Sequence, residues 1–403
     1  MISADTTRCR RCLYDASVPD LNLDGNGICN YCRMHDQLEV QYPQGPEGER
    51  RLREIVDEVK RAGRRKPYDV IVGISGGCDS SYMLHMAKEL GLRPLAVHFD
   101  NTWDSTVAVE NIQNLLSKLD VDLFTYVVDN EEYDDIYRSF LQAGVRDIEC
   151  PTDIGLAATL NRACDKYGIK YIFEGHSFRT EGFCPVGWLY MDGRYIRSVQ
   201  KTYGTRPLKT YPNMPMRSML RWMALSGIKK LRPLYYLDYH KEDAKAMLTS
   251  ELGWRWYGGH HLENRFTAFY WTYFMPIRFG IDGRLLGYSA LVRSGQLDRD
   301  EALELINEPV SYDPDLLALV KKRLGFTDEQ FEALMSQPIR TYREFATYKK
   351  AFERMRPIFW LLAKGERIPR SFYMRYTLPD PAATTERYAP LAVEPAAATA
   401  PTG

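Results

Sequence analysis

Residues 70–81 read VIVGISGGCDSS, and the reading of this stretch decides the fold. Val70-Ile71-Val72 is a continuous apolar run, as expected of a strand buried on both faces of a parallel sheet. A turn of serine and glycines follows, then an aspartate and two serines where a helix should begin. Three chemistries place a glycine turn between a buried strand and a helix. A GxxxxGK[ST] loop needs a lysine where Cys78 stands, so that reading fails. Gly73-Ile74-Ser75-Gly76-Gly77 matches the letters of a GxSxG nucleophile elbow. That elbow needs earlier strands and an oxyanion loop, yet Ser75 follows the first clear strand and no HGGG-like segment precedes it. The third chemistry is a phosphate cradle. Gly76 and Gly77 let backbone N–H groups approach an anion, the helix dipole adds positive charge, and Ser75 and Ser80 supply hydroxyls. Asp79 would repel a bare phosphate, so it belongs there as a ligand of Mg²⁺ bridging the phosphates. Its plainer role is an acidic helix cap.

Outward from this turn, helix and strand alternate. DSSYMLHMAKELG (79–91) reads as a helix and PLAVHFD (94–100) as a strand. STVAVENIQNLLSKLD (105–120) is a helix capped by Ser105 or Asp104, and DLFTYVVD (122–129) a strand. EEYDDIYRSFLQAG (131–144) and DIGLAATLNRACDKYG (153–168) are helices, and KYIFEGH (170–176) is a strand. Strict alternation predicts an α/β fold with an open parallel sheet covered on both faces. A charged helix over Glu49–Ala62 leads into it. The expected organisation is a cysteine module at 1–45, the α/β nucleotide-binding domain at 46–210, a mainly helical domain at 211–378 and a tail at 379–403. The helical part is dense in aromatics (WRWYGGHHLENRFTAFYWTYF, 254–274) and carries capping boxes at Asp298/Glu301 and Thr327/Gln330. The Ala/Pro/Thr-rich tail cannot bury a core and is expected to be disordered.

Lys+Arg and Asp+Glu each number 53 in 403 residues, so net charge gives no general pull toward nucleic acid or an anionic membrane. The start MISADTTRCRRC lacks the apolar core of a secretory signal. FTAFYWTYFMPIRFGI is interrupted by Thr272, Pro276 and Arg278 and is too short to span a bilayer. A cytoplasmic protein without a membrane partner is expected, with nucleic acid disfavoured. Among the eight cysteines, Cys9/Cys12 and Cys29/Cys32 form two CxxC knuckles. In a reducing compartment they read as a closed tetrahedral sulfur site for structural Zn²⁺. Iron in the same cage and redox-active thiols are the alternatives. Arg8, Arg10, Arg11 and Arg33 around it either compensate thiolate charge or contact RNA.

The run Ser75-Gly76-Gly77-Cys78-Asp79-Ser80 resembles the SGGxDS signature of the PP-loop ATP pyrophosphatases, whose α/β domain is HUP-like. The resemblance implies cleavage of ATP, with Mg²⁺, between its α and β phosphates. Ser75, Gly76, Gly77, Asp79 and Ser80 would grip the pyrophosphate while a substrate oxygen takes AMP. It also implies adenine beyond the next strand end, VHFDN, with His98 and Phe99 as its candidates; the plainer role of Phe99 is packing. In EGHSFRTEG (174–182), Gly175 and Glu181 fit the glycine-then-acid pattern of the class, and Glu181 is the candidate second Mg²⁺ ligand. His176 reads as structural. Asp153, in ECPTD, either caps a helix or faces the crevice as a further catalytic candidate. Lys201, with Arg206 and Lys209, offers a phosphate partner or solvated surface.

Most of residues 7–310 resembles the N-acetyl sugar amidotransferases of bacterial surface-polysaccharide synthesis. The resemblance rests on the two knuckles, on HFDNTWDSTVAVENIQNLLSKLDVDLFTYVVD, and on the block from Gly253 to Leu303. That family's Lys-His-x-Glu-Ser is here His260-His261-Leu262-Glu263-Asn264: His261 and Glu263 match, His260 and Asn264 depart. His261, Glu263 and Arg265 are the substrate-side candidates. The implied reaction turns the acetamido group of a nucleotide sugar into an acetamidino group. The amide oxygen attacks the α-phosphorus of ATP, and ammonia displaces AMP from the resulting imidate. Hydroxide cannot leave at neutral pH, but AMP can. Because the chain begins Met1-Ile2 rather than with a cysteine, ammonia is expected from a separate glutaminase subunit. The family implies one resembling that of imidazole glycerol phosphate synthase, with a cyclase-like subunit. The alternative is sulfur transfer to a small molecule or tRNA through an exposed, low-pKa Cys150, Cys164 or Cys184. A third reading, a non-catalytic zinc-and-nucleotide scaffold, would have no need of Asp79.

Overall fold

The structure is a computed structural model that describes residues 8–185, 187–259, 261–365, 368, 370–379 and 391–396. Five parallel strands form the main sheet: β1 (Val70–Gly73), β2 (Pro94–Asp100), β3 (Leu123–Val127), β4 (Tyr171–Phe173) and β5 (Lys229–Leu231). The longer helices that precede or connect them are α1 (Asn30–Gln41), α2 (Gly45–Gly63), α3 (Cys78–Glu89), α4 (Thr106–Leu119), α5 (Asn130–Ala143), α6 (Cys150–Tyr167) and α7 (Gly193–Tyr203), and a short helical segment, α-helical over Met216–Leu220 and π-helical over Arg221–Leu225, leads into β5. The period-two alternation of a strand explains the uninterrupted apolar runs. Val70, Val72 and Ala96 pack on one face with residues of α2, α3 and α4. Ile71, Leu95 and Val97 pack on the other with residues of α6. Burial on both sides leaves no polar position in β1.

The strand order is β3-β2-β1-β4-β5. The chain therefore travels outward from β1 through β2 to β3, then returns to lay β4 on the other side of β1. That reversal opens a crevice beyond the carboxyl ends of β1 and β4, where open α/β sheets bind ligands. Two features differ from expectation. The sheet continues past position 210, because Lys229-Lys230-Leu231 adds an edge strand beside β4. Three residues with two lysines carry no periodic signal, so this strand is invisible in the sequence. At the opposite edge, Leu123 and Val127 of β3 are exposed, since among the described residues that side of the edge strand is left open.

Beyond β5 the chain is mainly helical. The aromatic block is one interrupted helix: α-helical over Arg265–Phe269, π-helical over Tyr270–Phe274 and α-helical again over Met275–Phe279. Phe266, Phe269, Tyr270, Phe274 and Phe279 are buried in one cluster with Cys9, Cys12, Cys29 and Cys32, so the cysteine module and the C-terminal helices share a core. Thr327 and Gln330 make both bonds of a capping box, while Asp298 caps its helix through the N–H groups of Asp300 and Glu301. Among the described residues, no helix is long and apolar enough to cross a membrane. Residues 380–390 and 397–403 of the tail expected to be disordered lie outside the described residues. Within it, Val393–Pro395 forms a short strand paired in parallel with Val310–Tyr312. The hydrogen bonds of that pairing order a segment whose composition offers little to bury.

Candidate active site

β1 ends at Gly73, and α3 begins at Cys78 with Gly77 as its N-cap residue. The turn between them needs glycine for a geometric reason. Gly76 has φ +79°, and a Cβ there would sit 2.4 Å from the carbonyl oxygen of Ala108 in α4. Trp254 Nε1 and Asn111 Nδ2 both donate to the Gly76 carbonyl, at 2.9 and 3.2 Å, which fixes the peptide. The amides around the cradle are weakly held. The N–H of Ser75 donates to Ser80 Oγ, that of Gly77 to Ser75 Oγ and that of Cys78 to the Tyr257 hydroxyl, each at 3.3 Å. Bonds this long exchange readily for an anion, and the first-turn amides of α3 have no acceptor within the helix.

Asp79 does not cap α3. Its Oδ1 accepts from the Tyr239 hydroxyl at 2.7 Å and its Oδ2 from Lys241 Nζ at 2.9 Å. Burial pushes the Asp79 carboxyl up, but the Lys241 charge and these bonds outweigh it and hold the group below the usual carboxylate range. Gly175, just after β4, closes the other side: a Cβ there would lie 2.9 Å from the Asp79 carbonyl oxygen. Glu181 follows six residues later. Burial and then the neighbouring charge of Asp79 push its carboxyl well above the ordinary range, with Glu263 adding to the push. Glu263 reaches the cradle because its segment pairs with the loop after β2. Ser105 N–H donates to the Glu263 carbonyl at 2.9 Å and Arg265 N–H to the Trp103 carbonyl at 2.8 Å. The Glu263 Oε1 accepts from Ser75 Oγ at 3.2 Å and lies 2.7 Å from where a Cβ on Gly77 would be. Its Oε2 is buried without a hydrogen-bond partner. Asp79, Glu181 and Glu263 thus lie around the cradle as oxygen donors of the kind a hard cation takes, but among the described residues the groups whose ligand atoms converge closely are the four cysteines and His98, Asp100 and Asp104.

The other expected residues divide. His98 stands on the α3–α4 face of β2; its Nδ1 bonds the Ile74 carbonyl at 2.9 Å and its Nε2 the Asp104 Oδ2 at 3.1 Å, so it braces the start of the turn. Phe99 points to the opposite face, where a Cβ on Gly155 would come within 2.5 Å of its ring, and it stacks edge-on against Tyr133. Strand alternation thus places Phe99 in the core on that face, the packing role weighed for it beside the nucleotide contact. His261 adopts φ +60°, unusual for a side chain with a Cβ. Burial lowers its pKa, with the Glu263, Lys241 and Asp79 charges all within reach of it. His260 lies outside the described residues. Arg265 is half-buried in the first turn of its helix. His176 bonds the Tyr235 hydroxyl at 3.0 Å and is held neutral, its pKa lowered to about 4 by burial and the Arg232 charge. Asp153 is exposed in the first turn of α6, and Lys201 is exposed in the last turn of α7, a helix packed on α5 and α6. The structure does not bond either of them to the cradle.

Sequence reasoning missed Lys241 and Tyr239, the direct partners of Asp79, as well as Trp254 and Tyr257 on the turn. It also missed the Glu174 carboxylate held by Lys230 at 2.9 Å and Arg232 at 3.0 Å. All but Glu174 lie beyond residue 210, and their role is set by tertiary folding. The one available signal was the polar cluster YLDYHKED between two apolar runs, which reads equally well as a helix start.

The four N-terminal cysteines are fully buried. Cys9 and Cys32 Sγ are 3.8 Å apart, Cys12 and Cys29 Sγ 3.7 Å. A zinc–sulfur bond of about 2.3 Å in tetrahedral geometry places sulfurs about 3.8 Å apart, so the four atoms fit a single ion. Arg8, Arg11 and Arg33 pair with Asp15, Asp36 and Asp24.

The innermost strand of a parallel sheet runs into Ser-Gly-Gly-Cys-Asp-Ser at a switch point, an arrangement similar to that of PP-loop proteins of the α/β class. Residues 263–358 match the family model described as LPS biosynthesis protein WbpG-like, C-terminal domain. A tRNA-specific 2-thiouridylase of Colwellia psychrerythraea is 33% identical over 127 residues, 28% of this chain and 34% of that protein. The corresponding protein of Proteus mirabilis is 31% identical over 125 residues, 27% of this chain and 34% of that one. The chain thus spans about a third of the length of these curated relatives. Among solved structures, NMN synthetase from Francisella tularensis superimposes with a TM-score of 0.31 at 14% identity, over 71% of this chain and 94% of that one.

Proposed function

We propose that the chain is an ATP-dependent, AMP-forming amidotransferase that converts the acetamido group of a nucleotide sugar to an acetamidino group in surface-polysaccharide synthesis. The observation that carries this reading is the position of Glu263. The WbpG-like segment begins at that residue, and its carboxylate bonds the serine of the PP-loop. The part of the chain that matches a polysaccharide family therefore builds one wall of the phosphate site. In this reading Ser75, Gly77 and Ser80 hold the pyrophosphate end of ATP. Asp79, Glu181 and Glu263 hold the Mg²⁺ that neutralises its charge, and His261 and Arg265 face the sugar. Lys241 keeps Asp79 ionised and ready for the cation. Ammonia, delivered by a separate glutaminase with a cyclase-like subunit, completes the exchange of oxygen for nitrogen. The four-cysteine site holds zinc in a structural role.

Sulfur transfer is the second reading, supported by the thiouridylase relatives. The cysteines outside the cluster weigh against it. Burial raises Cys78 and Cys164 to about 12, lifts Cys150 well above the usual thiol range and raises Cys184. Neutral buried thiols are poor sulfur carriers. The test is incubation with Mg-ATP, an acetamido nucleotide sugar and either ammonium or sulfide. An amidine appears as AMP plus a mass change of about −1, a thioamide as about +16, because nitrogen or sulfur replaces the displaced oxygen. AMP formed with sulfide and not with ammonium would reverse the two readings.

A further inference from the structure

Arg293 ends the helix Arg284–Arg293 and is 5% exposed. Its Nη2 donates to Cys12 Sγ at 3.2 Å, and the guanidinium lies 4.3 Å from the centre of the Tyr14 ring. Its Nε and Nη1 are buried without a hydrogen-bond partner, and no described carboxylate pairs with it. Arginine stays charged at any pH the protein meets. A buried cation needs compensating negative charge or a full set of hydrogen-bond acceptors, and Arg293 has two nitrogens without an acceptor. Four thiols, or two disulfides, are neutral and would leave Arg293 uncompensated. Four thiolates around one divalent ion carry net negative charge and match it. Two further bonds tie the same elements together: Arg11 Nη2 donates to the Arg293 carbonyl and Arg299 Nη2 to the Cys9 carbonyl, both at 3.2 Å.

The residues that follow Arg293 lead to the candidate active site. Ser294 Oγ donates to the Arg179 carbonyl at 2.9 Å, within the turn that carries Glu181. Gln296 Nε2 donates to the Tyr239 carbonyl at 3.0 Å, and the Tyr239 hydroxyl holds Asp79. One short turn therefore touches the sulfur cluster at one end and both carboxylate-bearing segments at the other. We propose that Arg293 is the counter-ion of a metal bound by Cys9, Cys12, Cys29 and Cys32, and that through the Arg293–Gln296 turn this metal positions Asp79 and Glu181. Arg293 is a positioning residue in this scheme. The coupling rests on the reading of the cradle as an ATP site.

The test uses the full chain loaded with zinc. Zinc affinity is measured by competition with a chromogenic chelator for the wild type, Arg293→Met and Arg293→Lys. Loss of a partner to a metal ligand weakens binding about 10- to 100-fold. That range is expected for Arg293→Met, with partial recovery in Arg293→Lys. Wild-type zinc affinity in Arg293→Met overturns the counter-ion. Mg-ATP affinity is then measured by calorimetry for zinc-loaded wild type, zinc-stripped wild type and zinc-loaded Ser294→Ala/Gln296→Ala. The double variant is expected to keep zinc yet bind Mg-ATP about tenfold more weakly, as does the stripped wild type. Unchanged ATP affinity in the double variant overturns the coupling, even where stripping unfolds the chain. Zinc-loaded wild type that binds no ATP at all overturns the reading of the cradle instead, and with it the coupling, while the chelator measurement still decides the role of Arg293.

Discussion

Asp79 and Lys241 form a nearly buried ion pair, 14% and 11% exposed at their side chains. Removing one partner of such a pair strands the other charge and costs about 3–5 kcal/mol. Lys241→Met should therefore lower stability by that order, and Asp79→Asn/Lys241→Met should recover most of it. ATP turnover should be strongly reduced in both variants, because Asn brings no negative charge to Mg²⁺ and Asp79 without Lys241 is no longer held as a carboxylate. Denaturant unfolding and AMP release read the two effects separately, and a double variant that turns over ATP as fast as the wild type would refute the assigned role of Asp79. Glu149 offers a pH test away from the cradle. It caps the start of α6 by position, accepts from Thr267 Oγ1 at 3.1 Å and leaves Oε1 unpartnered. Burial, then the Asp153 charge, raises it from 4.5 to about 8. A carboxyl raised by folding contributes stability that is fully present below pH 4.5 and is lost as pH rises through 8. Glu149→Gln removes that loss. Its melting temperature should exceed the wild type's by several degrees at pH 9 and show no gain at pH 4.5. A difference of the same size at both pH values would contradict the burial of the charge.

At the scale of elements, the strand–turn–helix was legible because each of its parts has a local cause. Buried β1 needs apolar residues on both faces, and Gly76 needs positive φ beneath α4. The helices α4 and α5 also followed from sequence, since Ser105 and Asp129 cap them by accepting from Ala108 and Glu132 N–H groups. What was not legible depends on distant chain. β5 is too short to show a period, and the packing of Phe99 against Gly155 and Tyr133 is set by helices far along the chain. Asn264, which departs from the resembling motif, turns out to cap the helix Arg265–Phe269 through the N–H groups of Phe266 and Thr267. Serine caps helices in the same way, so the substitution preserves the turn that presents Glu263. The turn itself gives a prediction. Gly76→Ala forces a side chain into positive φ and against the backbone of α4, so Mg-ATP affinity should fall at least about tenfold with a loss of about 1–3 kcal/mol in stability. Gly73→Ala is the control: a Cβ there meets only the movable Leu160 side chain, at 3.3 Å. Equal ATP affinity in the two variants, measured by calorimetry, would show that the turn does not hold the nucleotide.

Across the whole molecule, one shared core joins the cysteine module, the α5 side of the sheet and the C-terminal aromatic block, and that block supplies Glu263 to the cradle. In the proposed reaction the site activates an oxygen but must receive its nitrogen. Hydrolysing glutamine requires a reactive nucleophile, most simply a thiolate. Among the described residues, Cys78, Cys150 and Cys164 are buried in three different parts of the packing, Cys184 is half-buried, and burial raises the pKa of all four. The remaining four face one another in a cluster that could hold a metal ion. The chain alone should therefore form AMP and amidine with ammonium salts and form neither with glutamine. Addition of a separate glutaminase subunit should restore the glutamine-dependent reaction without changing the rate at saturating ammonium. The measurement is AMP release by the purified chain with each nitrogen source. Glutamine-dependent turnover by the chain alone, abolished by alkylation of Cys184, would overturn the assignment of ammonia delivery to a partner.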